Sequence, residues 1–426
     1  MTGISYLSIC FFLLLVPLHA SDSEGYCSAK SESCMEPGIA YHTTEWDGDE
    51  RTKDGIVDSS NNLFSNLIAL AYREWKPCST NAKDSCKTCF DDQIESDLKT
   101  WSKKGINQDL INAAKSKGVR YQVIGNKLYR EKNCLFPGRC EGIEHFILKV
   151  VQDLPDLELV VNIRDWAQVP CRWKSDDCIE TGVNHDDIPP VFSFSKDSKW
   201  YYDVLYPAWS FWSGGPAIDK YPRGIGDWNR TRNLIQKNSL TWEKKESVAF
   251  FRGSRTSSER DPIILFSRNH PSLLDAKYTK NQAWRSLADT LGHEPASTVT
   301  FEDQCKYKYL LNVRGVAASF RYKHLFLCKS LVLNVHSDWI EFFYPLLKPW
   351  VHFIPVQEDF KNFYEVITFL QNNDEYARKV AENGFDLIWN HLTIESITCY
   401  WKNLLSKYSK LLTYTPKLDP SLIQIS

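Results

Sequence analysis

Five short apolar runs, set along the chain between segments of helical periodicity, restrict this sequence more than any other feature. LELVVNI (157–163), PVFSFS (190–195), SVAFF (247–251), SLVLNV (330–335) and HFIPV (352–356) are each of strand length and rich in β-branched or aromatic residues. Helical candidates lie before or between them at 63–73, 94–114, 141–152, 305–312 and 320–328. Alternation of strand and helix predicts parallel sheets covered on both faces, an α/β fold. Two such blocks meet near 231–246, which predicts two α/β domains with a cleft between them. A chain of 426 residues has room for two cores of ordinary size.

The charge balance narrows the partners. Formal net charge is only −2, so no polyanion such as nucleic acid is expected, and each arginine cluster is judged locally. The first twenty residues hold an apolar block from Ile9 to Val16 and a small residue, Ala20, at a cleavage position, the pattern of a secretory signal. That block is too short for a bilayer, and no later run reaches about 20 apolar residues, so no membrane span is expected. Of thirteen cysteines, Cys10 lies in this leader; the other twelve form an even set in a compartment that permits disulfides. Close spacings occur at Cys27 and Cys34, at Cys78, Cys86 and Cys89, at Cys134 and Cys140, and at Cys171 and Cys178. Zinc would need paired Cys-x-x-Cys knuckles, and only Cys86 and Cys89 have that spacing. Disulfides are therefore expected.

In open α/β sheets ligands bind beyond the carboxyl ends of the strands, and two polar clusters fall there. In NIRDWAQVP, Asp165 follows the run that ends at Ile163. A carboxylate at that place can serve as a general base, or it can cap a turn or pair with Arg164. In FRGSRTSSERDP, Gly253 lets the chain turn closely after a buried strand. Arg252, Arg255 and Arg260 with a following helix start then make a seat for phosphate, or a solvated Arg-Glu-Asp network. A third segment sets Gly315, Ala317, Ala318 and Ser319 before Arg321, which suits close backbone approach to a ligand and equally suits tight helix packing. Asp47-Gly-Asp49 has a spacing suited to a hard divalent cation but no strand before it, so a solvated turn is expected. His145, His324, His336 and His352 stand at no ligand spacing, and neither a P-loop nor a Gly-x-Ser-x-Gly elbow is present. Asn229-Arg-Thr231 is an N-glycan acceptor sequence.

Taken together, NCLFPGRCEGIEHFIL, VVNIRDWAQVP, PVFSFSK, YPAWSFWSGGPA, FRGSRTSSERDP, YTKNQAW, CKYKYLLNVRGVAASFRYKHLFLC and ITCYW, in this order over roughly 75–412, closely resemble the Rumi family of protein O-glucosyltransferases. The resemblance implies a GT-B fold of two Rossmann-like domains facing a cleft, with a C-terminal helix crossing back. The divisions it suggests are a signal peptide at 1–20, a polar arm at 21–75, an acceptor-side domain with the base at 76–235, a nucleotide-sugar domain at 236–390, and a helix and tail at 391–426. It implies metal-independent, inverting transfer of glucose from UDP-glucose to the serine of Cys-x-Ser-x-Pro/Ala-Cys in folded EGF repeats, such as those of Notch, with no cofactor beyond the donor. Xylosyl transfer from UDP-xylose to the same serine and a non-catalytic lumenal binder of EGF repeats are the alternatives.

By the same resemblance Asp165 is the catalytic base. Ser254, Arg260, Val316, Ala317, Ala318, Ser319, Phe320 and Arg321 hold the donor, with Tyr221 close to the sugar. Leu135, Phe136, Pro137, Gly138 and Arg139, and Ala217, Ile218, Asp219, Lys220, Tyr221 and Pro222, meet the acceptor. Bridges Cys78–Cys89, Cys86–Cys399, Cys134–Cys140 and Cys305–Cys328 are implied; Cys171–Cys178 and Cys27–Cys34 are expected as local bridges of this chain. An insertion at 171–187 and a polar loop at 217–221 depart from the family pattern beside the acceptor. A monomer resident in the endoplasmic reticulum lumen is expected from kinship; secretion is the alternative, because the sequence ends SLIQIS in place of a KDEL-like signal.

Overall fold

The computed structural model of the chain describes residues 53–79, 86–170, 188–212, 220–221, 225–281 and 284–426, with side chains in its first helix from Leu63 onward. The leader, the arm up to residue 52 with Cys27, Cys34, Asp47 and Asp49, the 171–187 insertion with Cys171 and Cys178, and Ala217, Ile218, Asp219 and Pro222 lie outside the described residues. The described residues pack as one compact unit.

Helix α1 (Lys53–Glu74) sets Phe64 against Trp350 and Phe369, with ring centroids 5.4 and 4.9 Å apart. Helices α2 (Asp91–Leu98) and α3 (Gln108–Ala114) follow; Asn107 caps the latter by accepting from the Leu110 N–H at 3.0 Å. Strands β1 (Val119–Ile124) and β2 (Lys127–Arg130) form a hairpin closed by Gly125 and Asn126, at φ 55° and 61°. Positive φ at both central residues is the requirement of a type I′ turn. Then come α4 (Pro137–Val150), β3 (Leu157–Val161), β4 (Val191–Ser193), β5 (Lys196–Asp197), β6 (Val204–Leu205) and α5 (Trp228–Asn238). The second half holds β7 (Glu246–Gly253), α6 (Asp261–Asn269), β8 (Leu274–Tyr278), α7 (Phe301–Gln304), β9 (Tyr307–Asn312), α8 (Tyr322–Phe326), β10 (Leu331–Val335), β11 (Trp339–Ile340) and β12 (Ile354–Val356). It closes with α9 (Phe363–Asn372), α10 (Asp374–His391), α11 (Ile394–Ser409) and β13 (Ile423–Ile425).

Two sheets with flanking helices carry the structure, the two-domain α/β architecture of the GT-B type. The first runs β13-β2-β1-β3-β4-β6 and the second β12-β10-β9-β7-β8, while β5 and β11 pair separately and bridge the halves. All pairings of the second sheet are parallel, as expected. Its side chains alternate between two cores: Phe250, Leu310 and Val332 join the core of the first half, and Phe251, Tyr309, Leu311 and Leu333 join a second core with α9 and α10. Burial of both faces explains the near-continuous apolar runs.

Two sequence expectations change. The first sheet is mixed, since β1, β2 and β13 pair antiparallel and only β3, β4 and β6 run parallel. Its hairpin was readable from the Gly-Asn dipeptide between two alternating runs. The segment 305–312, expected as a helix, holds strand β9: Lys306 and Lys308 alternate with Cys305, Tyr307 and Tyr309 at the period of a strand, and pairing with β7 and β10 fixes that state. Strand β8 was not foreseen at all.

Helix α11 crosses back onto the first half, as the resemblance implies. Its Tyr400 and Tyr408 hydroxyls donate to the carbonyls of Leu205 and Glu158 at 3.2 and 3.1 Å. The four bridges Cys78–Cys89, Cys86–Cys399, Cys134–Cys140 and Cys305–Cys328 are present. Cys86–Cys399 spans 313 residues and ties α11 to the segment before α2. Replacing both cysteines by serine is expected to lower stability by about 2–4 kcal/mol, read as a lower denaturant midpoint with a steeper slope, because the unfolded chain opens further without the cross-link. Among the described residues no helix is long and apolar enough to cross a membrane.

Candidate active site

Strand β3 ends at Val161, and the next five residues form a turn wired to the sheet. Buried Asn162 donates from Nδ2 to the Trp166 carbonyl at 2.8 Å and to Ser193 Oγ at 2.9 Å, and its Oδ1 accepts from the Arg164 N–H at 2.8 Å. Buried Asp203 braces the same loop from below, accepting from Ser193 Oγ at 2.6 Å and from the N–H groups of Gln168 and Val169 at 2.8 and 2.7 Å. Burial raises the Asp203 pKa against those bonds. The turn so held projects Asp165 with half of its side chain exposed.

The partner of Asp165 is Arg139, not Arg164. Arg139 Nη2 donates to Asp165 Oδ1 at 2.8 Å and Nη1 to the Ile163 carbonyl at 2.6 Å, while the guanidinium lies over the rings of Phe136 and Trp209 at 4.6 and 4.2 Å. Arg139 sits in the first turn of α4, beside the Cys134–Cys140 bridge. The segment 135–139 therefore adjoins Asp165, with Leu135 and Phe136 exposed at its rim. Sequence reading placed Arg139 on the acceptor surface and missed its bond to the carboxylate; nothing in 26 residues of separation signals it.

In the second sheet, β7 and β8 lie to one side and β9, β10 and β12 to the other, so the order reverses between β7 and β9. A crevice outside the carboxyl ends at that reversal is where doubly wound sheets take ligands. Gly253 ends β7 there. A Cβ on Gly253 would fall 2.9 Å from Phe251 Cζ, 3.0 Å from Arg321 Nη2 and 3.3 Å from Arg260 Nη1, so two guanidinium groups converge on one glycine. Arg260 also holds the loops after β7 and β9 together, donating to Ser254 O at 2.7 Å and from Nε and Nη2 to Arg314 O at 2.9 and 2.7 Å. Arg321 donates to the Arg252 carbonyl.

Of the three arginines in FRGSRTSSERDP, only Arg260 faces this crevice. Arg252 pairs with Asp275 at 2.7 Å, and Arg255 makes a two-pronged pair with Asp261, which leaves Arg260, joined by Arg321, as the candidate seat for an anion. Neither of these two forms an ion pair with a carboxylate among the described residues, although Arg252, Arg255 and Arg314 all do. Burial pushes the Arg260 pKa down to about 9, with the charge of Arg321 adding to the shift, and burial alone takes Arg321 to about 10. Both remain cationic at neutral pH. Two adjacent buried cations with no anion of their own suit an anionic ligand.

The segment 316–321 joins this seat to the first half. Ala317, Ala318 and Ser319 are buried, Val316 is exposed, and the Ala318 N–H donates to Ser195 Oγ at 3.1 Å. Ser195 follows the carboxyl end of β4, and β3 runs parallel beside β4, so the Asp165 turn and the arginine seat lie at carboxyl edges that meet. Phe320 is half-buried and its carbonyl accepts from Lys323 Nζ at 2.9 Å. Tyr221 lies on another element: its hydroxyl donates to Glu302 Oε2 at 2.7 Å and accepts from the Phe301 N–H at 3.0 Å. Lys220 beside it is exposed, and Asn229 is exposed on α5. One trio among the described residues has metal-ligand spacing, Cys78, Cys89 and His391. Its two cysteines are joined in a disulfide, so neither offers a thiolate.

The description "Glycosyl transferase family 90" matches residues 81–426. An O-glucosyltransferase rumi homolog of Anopheles gambiae is 47% identical over 420 residues, covering 98% of each chain. O-glucosyltransferase rumi of Drosophila melanogaster is 43% identical over 426 residues, 99% of this chain and 98% of the relative. Protein O-glucosyltransferase 1 of Homo sapiens is 50% identical over 357 residues, 83% of this chain and 86% of the relative.

Proposed function

This chain belongs to glycosyl transferase family 90, and from that premise we propose that it moves glucose from UDP-glucose to serine in folded EGF repeats, Notch-type repeats among them. The observation that carries the reading is a solvent-facing carboxylate, Asp165, and an unpaired arginine couple, Arg260 and Arg321, at carboxyl edges joined through Ser195 and Ala318. The donor diphosphate sits on the arginines. Asp165 accepts the serine proton as the serine oxygen bonds to C1 of the α-linked glucose. The bond from C1 to the β-phosphate oxygen breaks on the opposite face, so the product is a β-glucoside. Charge that develops on UDP is met by Arg260 and Arg321, which are in place beforehand and reorganise little. Arg139 holds the Asp165 carboxylate in position, and exposed Leu135 and Phe136 offer the acceptor an apolar rim. Four disulfides fit folding in the secretory pathway, and residence in the endoplasmic reticulum lumen is part of the proposal.

The test is mass spectrometry of a folded EGF repeat bearing Cys-x-Ser-x-Pro/Ala-Cys after incubation with the purified chain and either UDP-glucose or UDP-xylose, with and without a chelator. A hexose gain that survives chelation is expected. A pentose gain alone selects xylosyl transfer, no gain selects a binder, and loss of the hexose on chelation overturns the metal-free mechanism.

A further inference from the structure

Helix α8 carries a lysine that reaches no water. The side chains of Lys323 and Glu341 are both 0% exposed, and their charges face each other at 3.9 Å, too far for a hydrogen bond. Neither carboxylate oxygen of Glu341 accepts a hydrogen bond among the described residues. Lys323 Nζ donates to the Phe320 carbonyl at 2.9 Å and lies 4.7 Å from the centre of the Phe211 ring. Burial lowers the Lys323 pKa and raises that of Glu341, so each charge depends on the other. Apolar side chains of similar volume in place of such a pair are often neutral or stabilising, so stability alone is a poor reason for it. The pair instead marks a junction: Phe211 precedes α5 in the first half, and Glu341 follows β11, whose partner β5 is also in the first half.

Around this pair the backbone of segment 316–321 is tied at three successive residues. The Ala318 N–H donates to Ser195 Oγ at 3.1 Å, and the Ser319 carbonyl accepts from the Tyr344 hydroxyl at 3.3 Å. The Phe320 carbonyl accepts from Lys323, with His324 Nδ1 3.2 Å away. Tyr344 is itself anchored beside the pair, since its N–H donates to the Glu341 carbonyl at 3.0 Å. We propose that Lys323 and Glu341 are positioning residues for glucosyl transfer. The carboxylate holds the ammonium, the ammonium holds the Phe320 carbonyl, and Arg321, the next residue, is thereby kept in register with the Asp165 turn. The inference rests on the donor reading above, in which neither side chain touches donor or acceptor. A misplacement of about 1 Å can cost about 10²-fold in rate, whereas attraction of a diphosphate to two cations falls off slowly with distance. The pair therefore acts on transfer more than on nucleotide binding.

Either single variant would strand a buried charge and destabilise the fold, so the test is the double variant Lys323→Met with Glu341→Leu. Tyr344→Phe, which keeps both charges and removes only the hydroxyl on Ser319, is the second probe. On the full chain and both variants, kcat for glucosylation of an EGF repeat, the UDP inhibition constant and the thermal midpoint are measured. The double variant is expected to keep its midpoint and a UDP constant within about threefold, while kcat falls at least about 10-fold. Tyr344→Phe is expected to lower kcat about 3- to 10-fold, the value of one hydrogen bond, with UDP inhibition unchanged. A double variant that folds and keeps kcat within about threefold overturns the inference, because a merely structural pair gives activity back with the stability. It is equally overturned by a UDP constant that rises as far as kcat falls, which makes the pair a support of the arginine seat alone. A double variant that does not fold, with unchanged kcat in Tyr344→Phe, overturns it too. Absence of transfer by the unaltered chain would instead sink the donor reading.

Discussion

Asp165→Asn is expected to lower turnover at least about 10²-fold and to leave UDP inhibition unchanged. The substitution keeps size and shape, and the amide oxygen can still accept from Arg139 Nη2, so the turn after β3 and the Phe136–Arg139–Trp209 stack persist. What is lost is a group able to take the serine proton as the oxygen attacks. Asn162 and Asp203, which brace the turn, do not involve the Asp165 side chain, so the thermal midpoint should hardly move. The measurement is steady-state glucosylation of an EGF repeat together with UDP inhibition. Near-normal turnover would remove Asp165 from the role of base, and a parallel loss of UDP affinity would mean that it acts on the donor.

Arg260→Met is expected to reduce kcat/KM for UDP-glucose by about 10²-fold or more and to destabilise the fold as well. Charge-assisted hydrogen bonds are worth about 1.5–3 kcal/mol, and this side chain makes several, to Ser254 O, Arg314 O and Val313 O, while also facing the crevice with its charge. The same guanidinium therefore closes the loop after β7 onto the loop after β9 and supplies half of the phosphate seat. Arg260→Lys should restore little, because an ammonium cannot span those carbonyls as a planar fork does. Kinetics with UDP-glucose and denaturant unfolding separate the two effects. A methionine variant with kcat/KM within about threefold of the unaltered chain would show that Arg321 alone carries the charge.

Much of this was legible in the chain before any coordinates. The strand-length runs at 157–163, 190–195, 247–251, 330–335 and 352–356 all contain strands, and the alternation behind them marks a two-sheet α/β structure. Motifs pointed to Asp165 and Arg260, because both follow strand ends, where a doubly wound fold exposes its loops. Local chemistry was less well read where it was plain: Gly125-Asn126 is a hairpin signal, and it turns the first sheet from parallel to mixed.

Other properties belong to distance in space, and no local pattern contains them. Which arginine of the dodecapeptide is left without a carboxylate depended in part on Asp275, 23 residues from Arg252 along the chain, since a guanidinium paired with a carboxylate is no longer available; only the Arg255–Asp261 pair lies within the dodecapeptide itself. The identity of β9 depended on its neighbours β7 and β10, and the bond from Arg139 to Asp165 on the packing of α4 against the end of β3. Sequence alone settled the periodicities and the residue types at strand ends, because these follow from backbone geometry repeated every two or 3.6 residues. The tertiary structure alone decided which charges cancel and which remain, because electrostatic pairing acts through a few ångströms of space and ignores separation along the chain.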